Sequence, residues 1–223
     1  YDAVLLDAFQ RVLARNEQKQ LIVLHTLGSH FSYTDRYPAE FDRFLPSGKG
    51  QKIGMHDRAN RELLNNAYDN TVLYTDFVVS GLIKQLQSQQ AIASLLLVSD
   101  HGENIFDGNC DKSGHGHNTE FDYRVGALWW GSELFSKQFP QKTQQLNKAA
   151  QLPLMTGQTF HTMLQLADIH YPSQQTAISF ADPAFRPQSR KLWTGIDFDR
   201  AAKSGQCRIL PQGQTSTNPS GNK

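Results

Sequence analysis

Apolar residues recur at steps of three and four in three segments of this chain, which predicts three helices. The first runs over residues 2–15 and ends at a polar stretch, and the second is a long helix over residues 58–88. The third covers residues 153–166, where Thr156 is a candidate N-cap. One face of each helix is therefore expected to be buried.

Short apolar runs separate these helices and predict strands. They are residues 21–25, 92–98 and 125–130, with a candidate edge strand at 176–180. Because strands and helices alternate, the sequence predicts an α/β fold with three layers, α/β/α, in which helices cover both faces of a mostly parallel sheet.

Two segments lack a regular pattern. Residues 26–52 are rich in Gly, Ser, Pro and aromatic residues, so we expect a long loop, and long loops in compact domains are usually functional. From residue 187 onward Pro, Gly, Ser, Gln and Asn dominate. We therefore divide the chain into a globular region, residues 1–186, and an extended or disordered tail, residues 187–223, with disorder expected from residue 212.

Composition narrows the range of functions. Lys and Arg number 22 against 21 Asp and Glu, which gives no electrostatic reason to expect nucleic-acid binding. No apolar run approaches the ~20 residues that span a bilayer. The chain opens with what reads as a helix already under way, so we expect it to be a piece of a larger protein. Cys110 and Cys207 predict either one disulfide in an oxidising compartment or two free thiols.

The strand at 92–98 runs directly into Asp100, His101 and Gly102, where the glycine is expected to allow a sharp turn. Ligand crevices of α/β sheets lie at such strand ends. A carboxylate oxygen beside a neutral imidazole suits Zn²⁺ or Mn²⁺ better than Ca²⁺ or Mg²⁺. Asp100 and His101 are therefore predicted to bind a divalent metal. The alternatives are a capping role for the Asp and an ordinary hydrogen-bonded His.

Further histidines follow strand ends and are candidates for the same pocket, because loops that leave one edge of a parallel sheet converge. They are His30, after the first strand, and His115 or His117, in a glycine-rich loop whose direction the sequence leaves open. Glu103 is predicted to fix the ring of His101, as metal-bound imidazoles commonly require.

Four motifs occur in a recognisable order. They are Leu24-His25-Thr26-Leu27-Gly28-Ser29-His30, continuing to Arg36-Tyr37-Pro38; Ala67-Tyr68-Asp69-Asn70-Thr71 with Tyr74-Thr75-Asp76; Ser99-Asp100-His101-Gly102-Glu103; and Gly114-His115-Gly116. Over residues 1–170 the chain resembles the phosphoethanolamine transferases, which belong to the sulfatase-like branch of the alkaline phosphatase superfamily.

The resemblance implies an alkaline phosphatase-like fold, of which residues 1–186 are the carboxyl-terminal part. It also implies a catalytic domain at the periplasmic face of the bacterial inner membrane, anchored there by an amino-terminal membrane domain. The activity implied is transfer of phosphoethanolamine from phosphatidylethanolamine to lipid A or another envelope glycan.

The resemblance further implies roles for single residues. Family members use a zinc-bound threonine nucleophile, which is expected upstream of Tyr1 together with one acidic ligand. Asp100 and His101 match the remaining metal ligands. His30 and His115 match the histidines that line a second metal or substrate-phosphate site.

Some features depart from the family pattern. Phe31 and Ser32 follow His30 where many members have Gly-Pro, and cysteines are few. The acceptor is therefore left open. The rival interpretations are another sulfatase-like hydrolase, a phosphoglycerol transferase, and a non-catalytic envelope protein that retains the fold.

Overall fold

The structure, a computed structural model, describes residues 1–15 and 17–212. The disorder expected at the end of the chain falls, apart from Gln212, on residues outside those described. The helices are α1 Val4–Leu13, α2 Arg61–Ser88, α3 Glu120–Tyr123, α4 Glu133–Gln138, α5 Pro140–Ala149 and α6 Thr159–Leu166. The strands are β1 Ser94–Val98, β2 Asn104–Ile105, β3 Ser113–Gly114 and β4 Ala127–Gly131. Among the described helices, none combines the length and the apolar content that crossing a bilayer requires.

The long predicted helix is confirmed as α2. A 3₁₀ turn at Arg58–Asn60 leads into it, and the side chain of Asp57 accepts a hydrogen bond from the backbone N–H of Ala59 at 2.9 Å. Its buried positions follow the predicted spacing. They are Leu64, Ala67, Asn70, Thr71, Tyr74, Val78, Val79 and Leu82. This face forms the wall against which α1 and the loops before α2 pack.

The expected long loop after residue 26 has 3₁₀ turns at Tyr33–Asp35 and Ala39–Phe41 as its only helical elements. Tyr33 is buried with Leu64 and Ala67 of α2 and with Ile105 of β2. Through this cluster α2 holds the loop against the segment that follows β1. Apolar packing therefore fixes the loop next to residues 100–103.

The two strands β1 and β4 pair antiparallel, with Ser94 opposite Gly131 and Val98 opposite Ala127. The loop between β1 and β4 begins and ends at the same end of this strand pair. There the N–H of Ser99 donates to the carbonyl of Gly126 at 3.1 Å. A parallel pair needs a crossover to the opposite end, which this loop does not make. The expectation of parallel pairing is therefore wrong for these strands, and β2 and β3 also pair antiparallel.

Two other strand predictions are wrong. Residues 21–25 are extended, with exposed and half-buried positions alternating, but no strand pairs with them in the described part of the chain. An apolar run forms a strand only when a neighbouring backbone exchanges hydrogen bonds with it. The candidate edge strand at 176–180 contains a 3₁₀ turn at Thr176–Ile178 instead.

The helices after β4 were only partly predicted. The third predicted helix starts later than expected, because Thr156–Gln158 is a 3₁₀ turn that precedes α6. The sequence pattern missed α4 and α5, which bury only Phe135, Leu146 and Ala149. So few buried positions give too weak a period to detect.

Within the predicted tail, residues 207–210 lie against the rest of the chain. A disulfide joins Cys110 to Cys207, which confirms the first of the two cysteine alternatives. Beyond it, Ile209 forms a β-bridge with Thr119, and the guanidinium of Arg208 binds the carboxylate of Glu120. The division of the chain at residue 186 stays a prediction.

Candidate metal centre

Three side chains with metal-binding atoms lie together just beyond the end of β1. They are His101, Glu103 and His115, and each offers one ligand atom within 4.8 Å of the others. The two imidazole rings have their centroids 4.0 Å apart. The Glu103 carboxylate is buried, with 7% of the side chain exposed, whereas both histidines are partly open to solvent. The cluster is therefore buried at Glu103 and open to solvent at the two histidines.

The hydrogen bonds of the two histidines fix which ring nitrogen of each is available to a metal ion. Nδ1 of His101 lies 3.0 Å from the carbonyl oxygen of Gly102, and Nδ1 of His115 lies 2.7 Å from Oε1 of Glu103. Because both oxygens are acceptors, each Nδ1 is the donor. The Nε2 atom of each ring then keeps a lone pair that is free to bind a metal ion.

Glu103 accepts two hydrogen bonds, one on each oxygen. Oε1 accepts from His115, and Oε2 accepts from the phenol of Tyr33 at 3.0 Å. Burial and the nearby Glu103 carboxylate raise the pKa of Tyr33, so its hydroxyl stays protonated and donates. The sequence predicted that Glu103 holds His101, but Nδ1 of His101 lies 3.9 Å away, so the ring that Glu103 orients is that of His115.

Asp100 lies at the rim of this cluster. Its Oδ1 accepts a hydrogen bond from the backbone N–H of His101 at 2.9 Å, and its Oδ2 lies 3.8 Å from Nε2 of His101. The side chain is 85% exposed. Asp100 and His101 therefore present an oxygen and a nitrogen side by side toward the open face, which is the arrangement that a shared cation requires.

His115 reaches the cluster because the chain folds back after Glu103. Asn104 in β2 lies opposite Gly114 in β3, and its buried amide donates to the Gly114 carbonyl at 2.9 Å and to Oδ1 of Asp122 at 2.7 Å. The oxygen of the same amide accepts from Thr119 at 2.8 Å. A fully satisfied buried amide thus fixes the loop that carries His115.

Gly102 is required for space at this position. A Cβ there would lie 2.0 Å from the carbonyl oxygen of Phe121 and 2.6 Å from that of Arg124. The N–H of Gly102 donates to the carbonyl of Asp122 at 2.9 Å. The sequence analysis expected Gly102 to allow a sharp turn. In the structure, glycine is required there because α3 approaches it closely.

The other predicted site residues do not join the cluster. His30 is exposed, with its Nδ1 against the carbonyl of Phe31, and it lies three positions before Tyr33 in the sequence. His117 points back into its own loop, where Nε2 donates to the carbonyl of Ser113 at 2.8 Å. His115 rather than His117 is therefore the histidine of this loop that joins His101.

One contributor to the site, Tyr33, and one residue beside the loop of His115, His56, had no signal in the sequence. Tyr33 binds Glu103 from 70 positions away, and the ring of His56 lies 3.3 Å from the hydroxyl of Ser113. Neither follows a predicted strand. A second group, formed by Cys110, Asp111 and Cys207, has its sulfur atoms joined in the disulfide, so it offers no thiolate to a metal.

The cluster has the donors that a divalent metal of the zinc type prefers. Two neutral imidazoles and hard carboxylate oxygens form a mixed N/O set, and structural or catalytic zinc takes at least three protein ligands. His101 and His115 each have a second hydrogen-bond partner that fixes the tautomer. The residues present therefore fit a zinc ion or a closely related cation.

Comparison with known proteins gives consistent matches. A family model described as Sulfatase matches residues 1–169. The phosphoethanolamine transferase EptC of Escherichia coli (strain K12) is 32% identical over 209 residues, which cover 91% of this chain and 34% of that protein. The Kdo(2)-lipid A phosphoethanolamine 7''-transferase of Salmonella typhimurium is 35% identical over 160 residues, covering 68% of this chain and 26% of that protein. The chain thus spans about a third of the length of the first curated relatives it matches.

Solved structures match the fold. The carboxyl-terminal periplasmic domain of EptC from Escherichia coli, described as a complex with Zn, matches with a TM-score of 0.76 and 29% identity, covering 90% of this chain and 57% of that chain. The corresponding domain from Campylobacter jejuni matches with a TM-score of 0.72 and 28% identity, covering 84% and 59%. The α/β fold class and the resemblance drawn from the four motifs are confirmed.

Proposed function

Because this chain belongs to the sulfatase family, we propose that it forms part of a metal-dependent phosphoethanolamine transferase. The donor is phosphatidylethanolamine, and the acceptor is lipid A or another envelope glycan. One observation carries the proposal: His101, Glu103 and His115 converge at the end of β1 in a chain whose matched relatives are named phosphoethanolamine transferases. The cluster of candidate metal ligands and the names of the relatives both indicate metal-dependent phosphoethanolamine transfer.

The proposed metal is zinc, and Mn²⁺ is the second candidate, because both accept mixed nitrogen and oxygen ligands. The zinc complex of a similar periplasmic domain supports this choice. When bound, the ion would lower the pKa of a hydroxyl nucleophile and neutralise charge on the phosphoryl oxygens. Asp100 and His101 would hold it from the rim of the site, with Oδ2 and Nε2 as the binding atoms.

The chain's own residues then have distinct tasks. Glu103 keeps the ring of His115 in one orientation, and Tyr33 keeps the Glu103 carboxylate in place. His115 and His30 would bind the phosphoryl group or a second metal. Replacing His30 with Ala is therefore expected to impair turnover more than it lowers the amount of zinc bound at Asp100 and His101.

The rest of the active site is proposed to come from outside the 223 residues. A threonine nucleophile and one further acidic ligand are expected there, as is a membrane domain that anchors the enzyme to the periplasmic face of the bacterial inner membrane. The coverage of about a third of the first curated relatives is compatible with such additional parts. The 223-residue chain alone is then expected to bind zinc weakly and to be inactive.

The rival functions differ in their products. A sulfatase-like hydrolase would release its product to water, a phosphoglycerol transferase would take a different donor, and a non-catalytic protein would release nothing. The names of the matched relatives favour the phosphoethanolamine transferase. Lipid A is the better supported acceptor, since two of these relatives carry names that refer to lipid A transfer.

The test is a transfer assay on the complete gene product. The enzyme is incubated with fluorescent phosphatidylethanolamine, zinc and lipid A, and both diacylglycerol and modified lipid A are measured. We expect both products, and neither from the Asp100→Ala variant. Free phosphoethanolamine without modified lipid A would favour a hydrolase, and no release would favour a non-catalytic protein. Steady release by residues 1–223 alone would contradict a nucleophile outside them.

A further inference from the structure

Residues 190–198 form a short antiparallel hairpin, here called the Trp193 hairpin. Lys191 and Asp197 pair across it, and backbone hydrogen bonds of 2.7 and 2.9 Å close it on either side of that pair. Gly195, with a φ of +80°, makes the reversal at the tip. Hydrogen bonds therefore define the backbone of the tip, in which Trp193 lies.

Trp193 is 91% exposed, the largest exposure of any large apolar side chain among the described residues. An indole ring has 150–250 Å² of surface to bury, in general terms about the largest apolar contribution a single residue makes. Holding it out on a hydrogen-bonded turn leaves that surface in water. The ring is therefore available to bury apolar surface against a partner.

The surroundings of the ring are basic. Five basic side chains and two acidic ones lie within residues 186–203. The basic ones are Arg186, Arg190, Lys191, Arg200 and Lys203. Both carboxylates have partners inside this segment: Asp199 pairs with Arg190, and Asp197 accepts from the hydroxyl of Ser189 at 2.5 Å and lies 3.8 Å from Nε of the exposed Arg200. Because five basic side chains outnumber two acidic ones, the segment that carries Trp193 has a net positive charge.

The base of the hairpin is fixed to the body of the protein. The Phe198 ring is buried, with the guanidinium of Arg190 5.0 Å and the ammonium of Lys203 4.6 Å from its centroid. On its other side the ring centroid of Tyr123, in α3, lies 6.3 Å away. The segment that carries Tyr123 also packs on Gly102 of the candidate metal centre. A partner bound at the tip would therefore be held on the same part of the molecule as that centre.

We propose that the Trp193 hairpin binds the surface of a bilayer that contains anionic phospholipid. The indole ring enters the headgroup region, where its apolar body and polar N–H both find favourable surroundings. Lys191 and Arg200 contact the lipid phosphates, and each basic side chain near such a surface strengthens binding about fivefold. The proposal concerns this surface alone and stands whether or not the metal centre transfers phosphoethanolamine.

A lipid surface fits the hairpin better than a protein partner does. A stable protein interface buries roughly 800 Å² on each side, with several apolar side chains at its centre. The tip presents one exposed aromatic ring on a segment in which basic side chains outnumber acidic ones. That pattern matches the interfacial anchors of peripheral membrane proteins, which combine an aromatic side chain with attraction to anionic lipid.

The test is cosedimentation of the 223-residue chain with vesicles of phosphatidylcholine, with and without phosphatidylglycerol. We expect binding to the anionic vesicles, a loss of about tenfold for Trp193→Ala, and about fivefold for Lys191→Gln and for Arg200→Gln. Phe160→Ala removes another exposed aromatic residue, from α6, and should bind as the parent does.

Tryptophan fluorescence identifies the inserted ring. The emission of the parent chain should shift to shorter wavelength with anionic vesicles, and the shift should vanish in Trp193→Ala, which keeps Trp129 and Trp130. Circular dichroism confirms that each variant is folded. No binding of the parent chain, equal binding of the Trp193→Ala variant, or a shift that survives this substitution would overturn the proposal.

Discussion

The Nδ1 atom of His115 donates a hydrogen bond to Oε1 of Glu103 at 2.7 Å, across a fold-back of twelve residues. The buried carboxylate therefore orients the one imidazole that the glycine-rich loop brings to the site. Tyr33 holds the other carboxylate oxygen from a separate part of the chain. Metal affinity at such a centre depends on these outer partners nearly as much as on the ligands themselves.

Replacing Glu103 with Gln tests this relationship. The amide keeps the shape of the side chain but loses the charge that fixes the His115 ring, so we expect zinc affinity to fall by about 10- to 100-fold. Zinc titration against a chromogenic chelator measures the change. Asp111→Asn is the matched control, because this exposed carboxylate lies in the same loop and contacts Lys112. Equal zinc affinity in the two variants would rule out the orienting role.

Gly102→Ala tests the close approach of α3 to the end of β1. Because the new Cβ would overlap backbone oxygens, we expect a loss of about 2–3 kcal/mol in the free energy of unfolding. The control is Gly126→Ala, where nothing lies within 4 Å of an added Cβ and the expected change is within about 0.5 kcal/mol. Chemical denaturation of both variants gives the comparison. Equal stability would mean that α3 does not lie against Gly102.

Cys207→Ser tests the covalent link between the end of the described chain and the loop between β2 and β3, which contains Cys110. The disulfide spans 97 residues of sequence, so its loss is expected to lower the free energy of unfolding by about 3–5 kcal/mol through the entropy of the unfolded chain. Cys110→Ser should give the same loss. Thiol titration of the unreduced, denatured parent chain should find no free thiol, and two titratable thiols would show that the bond is absent.

The sequence predicted the elements whose apolar pattern is long or ends at a distinctive motif. α2 carries its buried face over many turns, and β1 leads directly to Asp100 and His101. Both signals are local. The same local pattern at residues 21–25 predicted a strand that does not form in the described part of the chain, because pairing depends on a second backbone that the pattern does not contain.

The sequence predicted which residues form the candidate site, but it did not predict which of them contact one another. The motif named Glu103 and His115, but the sequence could not tell that Glu103 turns toward His115 instead of His101. That choice depends on the fold-back at β2 and β3, which the buried amide of Asn104 sets through contacts far apart in sequence. Tyr33 was missed for the same reason, since packing on α2 brings it to the carboxylate.

The central claim is that Asp100 and His101 bind the metal ion on which transfer depends. It is tested by metal analysis and transfer assays of the complete gene product carrying Asp100→Ala or His101→Ala. His170→Ala, at an exposed histidine that contacts Asp168, is the control. Loss of one ligand leaves a poorly held ion, so we predict reduced bound zinc and no transfer in the two site variants, with the control unchanged. Full zinc occupancy in both site variants would contradict the account.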